Sequence, residues 1–297
     1  MNKEKVACPI CENRNLVVYM KGNLKIENLR ETDIKITDSQ YGKFWDLWLC
    51  KNCGYIFSLL LPYKKYIYTL YQKVEDPLYD EEAENRSLNF IRILSFLEKL
   101  RPKKGKLFDV GAATGILLNL AKNRGWEIDG IEPSSWAVNY ALTKYKISIK
   151  WGVFEEFNLP LNHYDVVTMI DLLEHIPNPK EGIKKAHSVL KKGGILCVVT
   201  PDIKSPIARL LGKKWWHLRP AHLSYFSKKS LRNLLEKFGF QIIKERNYVW
   251  TFSLHYLLSR KKILAFLLKS KKFSSFCKKI RIKLALRDSL EFYAQKI

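Results

Sequence analysis

Two short stretches of one form, CPIC at Cys8–Cys11 and CKNC at Cys50–Cys53, stand near the start of the chain. Each C-x-x-C turn presents two thiolates, and two such turns complete a tetrahedron around one Zn²⁺. Four thiolates leave no open coordination position, so Cys8, Cys11, Cys50 and Cys53 point to a structural Zn²⁺ rather than a catalytic one. The alternatives are four free thiols or two redox pairs. A thioredoxin-type centre is excluded because neither pair sits at the strand-to-helix turn of a βαβ unit. The 38 residues between Cys11 and Cys50 exceed a compact ribbon and leave room for a hairpin or loop in LKIENLRETDIKIT. DLWLCKNCGYIF alternates like strands entering and leaving the second knuckle, with Gly54 just after it.

A second motif, KLFDVGAATGILLNLAKNRG, reads as strand, glycine turn and helix. The strand is expected over 107–110, and the helix from about Gly115 to Asn123, closed by Gly125. Gly111 lets the backbone turn tightly and approach a ligand with no Cβ in the way. Gly115 opens the helix close to the sheet. WEIDGIEPS then forms a second strand ending in Glu132, 21 residues after Gly111. An acid at that position accepts hydrogen bonds from both hydroxyls of a ribose. The turn is not the dinucleotide G-x-G-x-x-G, and it sets up no helix N-terminus for a pyrophosphate.

These motifs need a scaffold. The chain has 297 residues, 47% apolar and 27% charged, enough for a large core that needs no disulfides. Its net charge of +23, from 52 basic and 29 acidic residues, suggests an anionic partner or a lysine-rich composition. MNKEKVACPICENRN contains no apolar signal region, and no run reaches the length of a spanning helix. With paired thiols, this places the expected setting in a reducing cytoplasm. A zinc-ribbon-like module is expected over 1–62 and a tyrosine-rich connector over 63–80, whose rings either line a substrate entrance or pack two modules together. A main domain follows over 81–297. Its first helix should bury Leu88, Ile91, Leu94, Leu97 and Leu100, with Pro102 and Gly105 ending it.

At the glycine turn the chain resembles the class I S-adenosylmethionine (SAM) dependent methyltransferases. YDVVTMIDLLEHIPNP is similar to their fourth strand and following loop, and VLKKGGILCVVTPD to their turn and fifth strand. WWHLRPAHLSYFSKKSLRNLLEKFGF resembles a segment of methyltransferases with an N-terminal zinc-binding region, many associated with sugar or surface-polysaccharide pathways. The resemblance implies an α/β fold: a Rossmann-like, seven-stranded class I methyltransferase sheet. By the same resemblance, Asp109, Gly111, Ala112 and Gly115 hold the methionine end of SAM, and Glu132 holds the ribose. Pro133 and Ser134 border the adenine, Phe154 or Glu155 touches its edge, and Asp171 and Leu172 lie under the sulfonium.

Methyl transfer to an O–H or acidic C–H needs a group to take the proton. His222 in RPAHLSYF is the first candidate, because the resemblance sets this segment over the pocket mouth. His175 and His217 follow. Trp215, Trp216 and Tyr225 are expected to contact the acceptor or to pack a lid. The expected acceptor is a small molecule or glycan, with a nucleotide- or lipid-linked sugar foremost and O- or C-methylation both open. The alternatives are ribosomal RNA methylation and a non-catalytic SAM-binding or zinc scaffold. Amino-group methylation of bases is disfavoured because the loop after the fourth strand reads IDLLEH. Pyrimidine C5 methylation needs a cysteine nucleophile, and Cys197 lies in an apolar strand.

FQIIKERN and SLEFYAQKI fit the last two strands, which leaves 247–287 as a basic amphipathic helical insertion. From His255 to Ile297 there are 12 Lys or Arg against Asp288 and Glu291. Lys with Leu and Ile suits an anionic membrane surface through 255–287, making the protein peripheral at the inner membrane face. Packing on its own domain, a dimer contact and RNA are the competing readings.

Overall fold

The computed structural model describes residues 6–37, 40–260 and 262–297. Three strands begin the chain: β1 (Leu16–Met20), β2 (Leu47–Cys50) and β3 (Ile56–Ser58). The helices α1 (Lys64–Gln72), α2 (Leu78–Glu81) and α3 (Ala83–Leu100) follow. An alternating region comes next: β4 (Lys106–Val110), α4 (Ile116–Asn123), β5 (Glu127–Glu132), α5 (Ser135–Tyr145), β6 (Lys150–Trp151), β7 (Tyr164–Ile170), α6 (Pro179–Val189) and β8 (Leu190–Pro201). The remainder is α7 (Pro206–Leu211), β9 (Ser224–Tyr225), α8 (Lys228–Lys237), β10 (Phe240–Asn247), β11 (Trp250–Ser253), α9 (Leu254–Ser259), α10 (Lys262–Ala265), α11 (Lys271–Lys279), β12 (Arg281–Leu284) and β13 (Ser289–Lys296).

The main sheet has seven strands in the order β10-β13-β8-β7-β4-β5-β6. Its six neighbouring pairings fall into two classes. β4 runs parallel to β5 and β7, β5 to β6, and β7 to β8, whereas β13 is antiparallel to both β8 and β10. Strands buried on both faces read as near-continuous apolar runs. β7 (YDVVTMI) and the ILCVVT part of β8 show this, with almost every residue buried. Successive side chains still take opposite faces. Phe108 and Val110 enter one core with Met169, Val198, Leu231 and Leu234. Leu107 enters the other with Ile93, Leu94 and Leu97 of α3 and Leu117 and Leu118 of α4.

The expected stripe of α3 is offset. Leu94 and Leu97 are buried and Leu100 packs, partly buried, against the same core, but the rest of the inner face is Ile93, Asn89 and Asn85 rather than Leu88 and Ile91. Asn89 tolerates burial because its amide pairs with backbone like a strand. It accepts from Thr251 N at 2.9 Å and donates to Thr251 O at 3.3 Å. Glu82 likewise accepts from Ser253 N at 3.0 Å. α3 is therefore the anchor for β11, which leads into the insertion.

The N-terminal strands form a second sheet, β1-β2-β3-β9, whose last strand comes from far along the chain. Ile56 pairs with Tyr225 and Phe57 with Ser224. Ser58 N donates to Leu223 O at 2.8 Å, and Trp45 Nε1 to Pro220 O at 2.8 Å. Cys8, Ile10, Cys50 and Tyr55 share one core cluster with the main sheet. The cysteine module is thus built into the body of the protein.

The segment expected as an amphipathic helix is a two-stranded ribbon, β11 with β12, enclosing three short helices. Breaks at Arg260 and Ser270 interrupt the helical run; Ser270 caps α11, its hydroxyl accepting from Phe273 N. No helix among the described residues is long and apolar enough to cross a membrane.

Candidate functional site

The parallel strands β4, β5 and β7 end on one edge of the sheet, where a doubly wound fold places its ligand crevice. A cavity of about 970 Å³, counted to its open mouth, lies there. Its floor is the glycine turn. Gly111, Ala113 and Gly115 all have positive φ, at 70°, 45° and 79°. A Cβ on Gly111 would stand 2.8 Å from Leu172 Cδ1. The turn therefore needs glycine at Gly111 for backbone conformation and for close approach. Ala113 holds the same left-handed conformation at a steric cost.

Glu132 ends β5 and faces the cavity, buried. Its two carboxylate oxygens accept from Ala113 N and Ser134 N, each at 2.9 Å. Each oxygen keeps a further lone pair. Burial pushes the Glu132 carboxyl up to about 6, against the pull of those two N–H groups. Ser134 caps α5 by accepting from Ala137 N at 3.1 Å, and its hydroxyl donates to Val74 O at 2.7 Å. The backbone after β5 is thus fixed from two sides.

Gly111, Glu132, Pro133, Ser134, Phe154, Glu155, Asp171 and Leu172 all line this cavity. Asp109, Ala112 and Gly115, expected at the methionine end, are not among its lining residues. Asp109 is buried, accepts from Thr168 Oγ1 at 2.6 Å, and is pushed up to about 7 by burial. Ala112 packs beneath β5, where its Cβ would be 3.4 Å from one placed on Gly130. Gly115 precedes α4, and a Cβ there would meet Ala141 Cβ at 3.0 Å.

Of the three histidines, His175 lines the cavity, while His222 and His217 stand behind it. Tyr71 OH and His175 Nδ1 are 2.9 Å apart. The His175 and His222 rings meet edge to face at 4.7 Å, and His222 stacks on His217 at 5.8 Å. His217 Nε2 lies 3.5 Å from Asp288 Oδ2, which also accepts from Trp215 Nε1 at 3.4 Å. Burial lowers all three imidazoles, His175 to about 3, so they are uncharged at neutral pH. His222 Nδ1 has no hydrogen-bond partner among the described residues. Glu174, His175 and His222 bring ligand atoms within 4.8 Å of one another. Glu174 is held well above the usual carboxylate range by burial and accepts from Thr200 Oγ1 at 2.9 Å. A protonated carboxyl in a hydrogen-bonded network is what that environment favours.

Trp215 and Tyr225 are buried in the core between α7 and the N-terminal sheet, with Trp216 packed beside them. They form no part of the cavity wall. Their positions follow from β9, which draws this segment onto β3. The aromatic wall is instead Tyr68, Tyr71 and Tyr79 of the connector, with Trp136. Tyr68 OH donates to Glu155 Oε1 at 2.8 Å, and the Arg86 guanidinium sits 3.8 Å from the Tyr79 ring centre. Ile34 and Ile36 from the loop between the cysteine pairs complete the rim. Asp171 follows β7 with φ at 49°, and burial pushes it up to about 7 against the pull of Arg86 and Arg219.

The four cysteine sulfurs lie within 4.8 Å of one another, with Cys8–Cys53 at 3.6 Å and Cys11–Cys50 at 3.5 Å. Sulfurs 2.3 Å from a tetrahedral Zn²⁺ are about 3.8 Å apart, so the set matches that ion. The contact between the Cys8 and Cys53 sulfurs, in which either can be the donor, pulls Cys8 down to about 5 and pushes Cys53 up. One thiolate among thiols is the natural state without a counter-charge, and a divalent cation removes that restriction.

A family model described as a methyltransferase domain matches residues 81–245. The chain belongs to this methyltransferase family. The ubiquinone biosynthesis O-methyltransferase of Marinobacter nauticus is 31% identical over 121 residues, 38% of this chain and 51% of that protein. The Coxiella burnetii protein of the same name is 25% identical over 130 residues, 41% and 56% of the two chains. The chain thus matches about half the length of these curated relatives. A SAM-dependent methyltransferase structure from Archaeoglobus fulgidus superposes with a TM-score of 0.51 at 16% identity, covering 74% of this chain and 98% of that one. At that identity the likeness is one of fold. In this methyltransferase the matched region ends before the insertion and begins after the cysteine module.

Proposed function

We propose that the protein transfers the methyl group of SAM to a hydroxyl of a small acceptor, a lipid- or nucleotide-linked sugar being the acceptor class. The observation that carries the reading is Glu132: a buried carboxylate at the end of β5 that faces the cavity with lone pairs left over. The residues present fit SAM. Glu132 would hold the ribose hydroxyls, the Gly111 turn would pass under the methionine end, and Phe154 and Glu155 would border the base. When bound, SAM supplies an electrophilic methyl on a sulfonium. Everything else falls to this chain's side chains.

Asp171, expected under the sulfonium, and His175 both line the cavity, and this reading turns both toward the acceptor. At neutral pH Asp171, held near 7, is the better proton acceptor of the two, because a base works best with a pKa near the working pH. His175, uncharged and tied to Tyr71, orients the acceptor hydroxyl. The tyrosines and Ile34 and Ile36 keep water from the crevice. The names of the curated relatives support oxygen as the acceptor atom. The resemblance to zinc-module methyltransferases of sugar pathways supports the sugar. The four thiolates would hold one structural Zn²⁺.

The test uses methyl-labelled SAM and purified protein with host extract split into lipid, nucleotide and RNA pools. Label in the lipid or nucleotide pool is expected, in a species whose methyl survives as a methyl ether. Label in RNA would overturn the acceptor class. The +23 charge favours RNA as the second reading.

A further inference from the structure

The ribbon β11–β12 and its three helices carry a composition found nowhere else in the chain. Residues 255–287 include eleven Lys or Arg and no Asp or Glu. Lys269, Lys271, Lys272, Lys278 and Lys279 are exposed, and among the described residues none of them is ion-paired. Every exposed phenylalanine among the described residues lies here too: Phe266, Phe273 and Phe276, the first and last 60% exposed. Leu264, Leu267 and Leu286 are exposed beside them in sequence. Phe273 and Phe276 stand three residues apart on α11, and so share one face of that helix.

Cationic side chains alone would suit any polyanion. Bare phenyl and leucyl groups do not, because leaving them in water is unfavourable unless something apolar covers them. Rings that stack on nucleobases do so from a groove or sheet face, and here they project from short surface helices among flexible lysines. A surface that offers both a negative layer and, just beneath it, hydrocarbon satisfies both features at once. We infer that the 255–287 insertion docks on an anionic phospholipid bilayer, with Phe266, Phe273 and Phe276 entering the headgroup boundary and the lysines pairing with lipid phosphates.

The insertion is rigidly mounted for that role. Glu82, just before α3, and Asn89 of α3 hold β11, and Trp250, Phe252 and Tyr256 stack in series at 5.5 and 5.0 Å. Arg260, at the end of α9, donates to Thr37 O. Thr37 adjoins Ile36, which lines the cavity. A docked insertion therefore sits one residue from the rim of the crevice, close enough to the lipid surface to receive an acceptor anchored in it.

The test is cosedimentation of the full chain with vesicles of phosphatidylcholine alone or with about 30% phosphatidylglycerol, a fraction that gives a strongly negative surface. Wild-type protein should bind the anionic vesicles at least about tenfold more tightly than the neutral ones, and the preference should shrink with added salt. Phe266→Ser with Phe276→Ser should weaken anionic binding about tenfold. Both residues are exposed, and an unchanged melting curve will show that the fold is kept. Equal binding of this variant and wild type, or equal binding to neutral vesicles, would overturn the inference. So would a result in which single-stranded RNA binds both proteins alike while neither binds vesicles, since the surface would then serve nucleic acid.

Discussion

Glu132→Gln isolates the proposed cofactor contact. A carboxylate offers about four acceptor positions. Ala113 N and Ser134 N occupy one on each oxygen, at 2.9 Å, and two remain for the ribose hydroxyls. Glutamine keeps one oxygen. Its NH₂ group then confronts one of those two backbone N–H groups, donor against donor. Hydrogen bonds to a charged group contribute about 1.5–3 kcal/mol each. Two are weakened, and the remaining amide oxygen recovers part of one, so the loss should be about 2–4 kcal/mol. That corresponds to about 30- to 1000-fold in the SAM dissociation constant, measured by titration calorimetry. The orphaned N–H should also cost about 1–3 kcal/mol of stability, visible in the melting temperature without ligand. Wild-type affinity should itself fall below pH 6, because the carboxyl held near 6 by burial gains a proton there and loses an acceptor. The variant should lack that pH dependence. SAM affinity within about threefold of wild type, with an intact fold, would refute the assignment of Glu132 to the cofactor.

Other substitutions test other parts of the site. Asp171→Asn should lower kcat/KM by about 100-fold or more. The wild-type rate should rise with pH to about 7 and level off, since Asp171 is protonated below that value, and the variant should lose this inflection. Gly111→Ala should destabilise the protein by about 1–2 kcal/mol, since φ at 70° disfavours a side chain and Leu172 must give way, and should weaken SAM binding further. Purified protein should hold one zinc per chain by elemental analysis. Chelation or Cys50→Ser should remove it and lower the melting temperature by about 10 °C, whereas a zinc-free protein with an unchanged melt would refute the structural role.

The main sheet was readable because its strands are apolar runs and its turn is a glycine cluster. Strand β4, helix α4 and Glu132 follow from local pattern alone. The offset of α3 was not readable, because burial of Asn89 depends on a partner 162 residues away at Thr251. The histidines show the same limit. His222 draws attention as a residue type in a suggestive segment, yet it is His175 that reaches the cavity, since β9 pulls its own segment back onto β3. Tyr68, Tyr71 and Tyr79 could be suspected from the tyrosine-rich connector. Ile34 and Ile36 carried no signal, lying in a loop whose path is set by contacts such as Arg219 with Ile36 O at 2.9 Å. The insertion was legible in charge and illegible in shape, because a ribbon closed by β11 and β12 breaks the helical period the composition suggests.

The pairing of β3 with β9 has a consequence for biosynthesis. Ser58 finds its partner Leu223 only 165 residues later in the chain. During translation the cysteine knuckles emerge first, while the outer edge of β3 waits without a strand to pair with. Such an edge is an invitation to other nascent chains. Early capture of a metal by the four cysteines would hold β2 and β3 in register through that interval, long before the methyl-transfer site exists to be assembled. In a cell short of zinc, the first symptom should then be aggregation of newly made protein, with molecules that matured earlier still active.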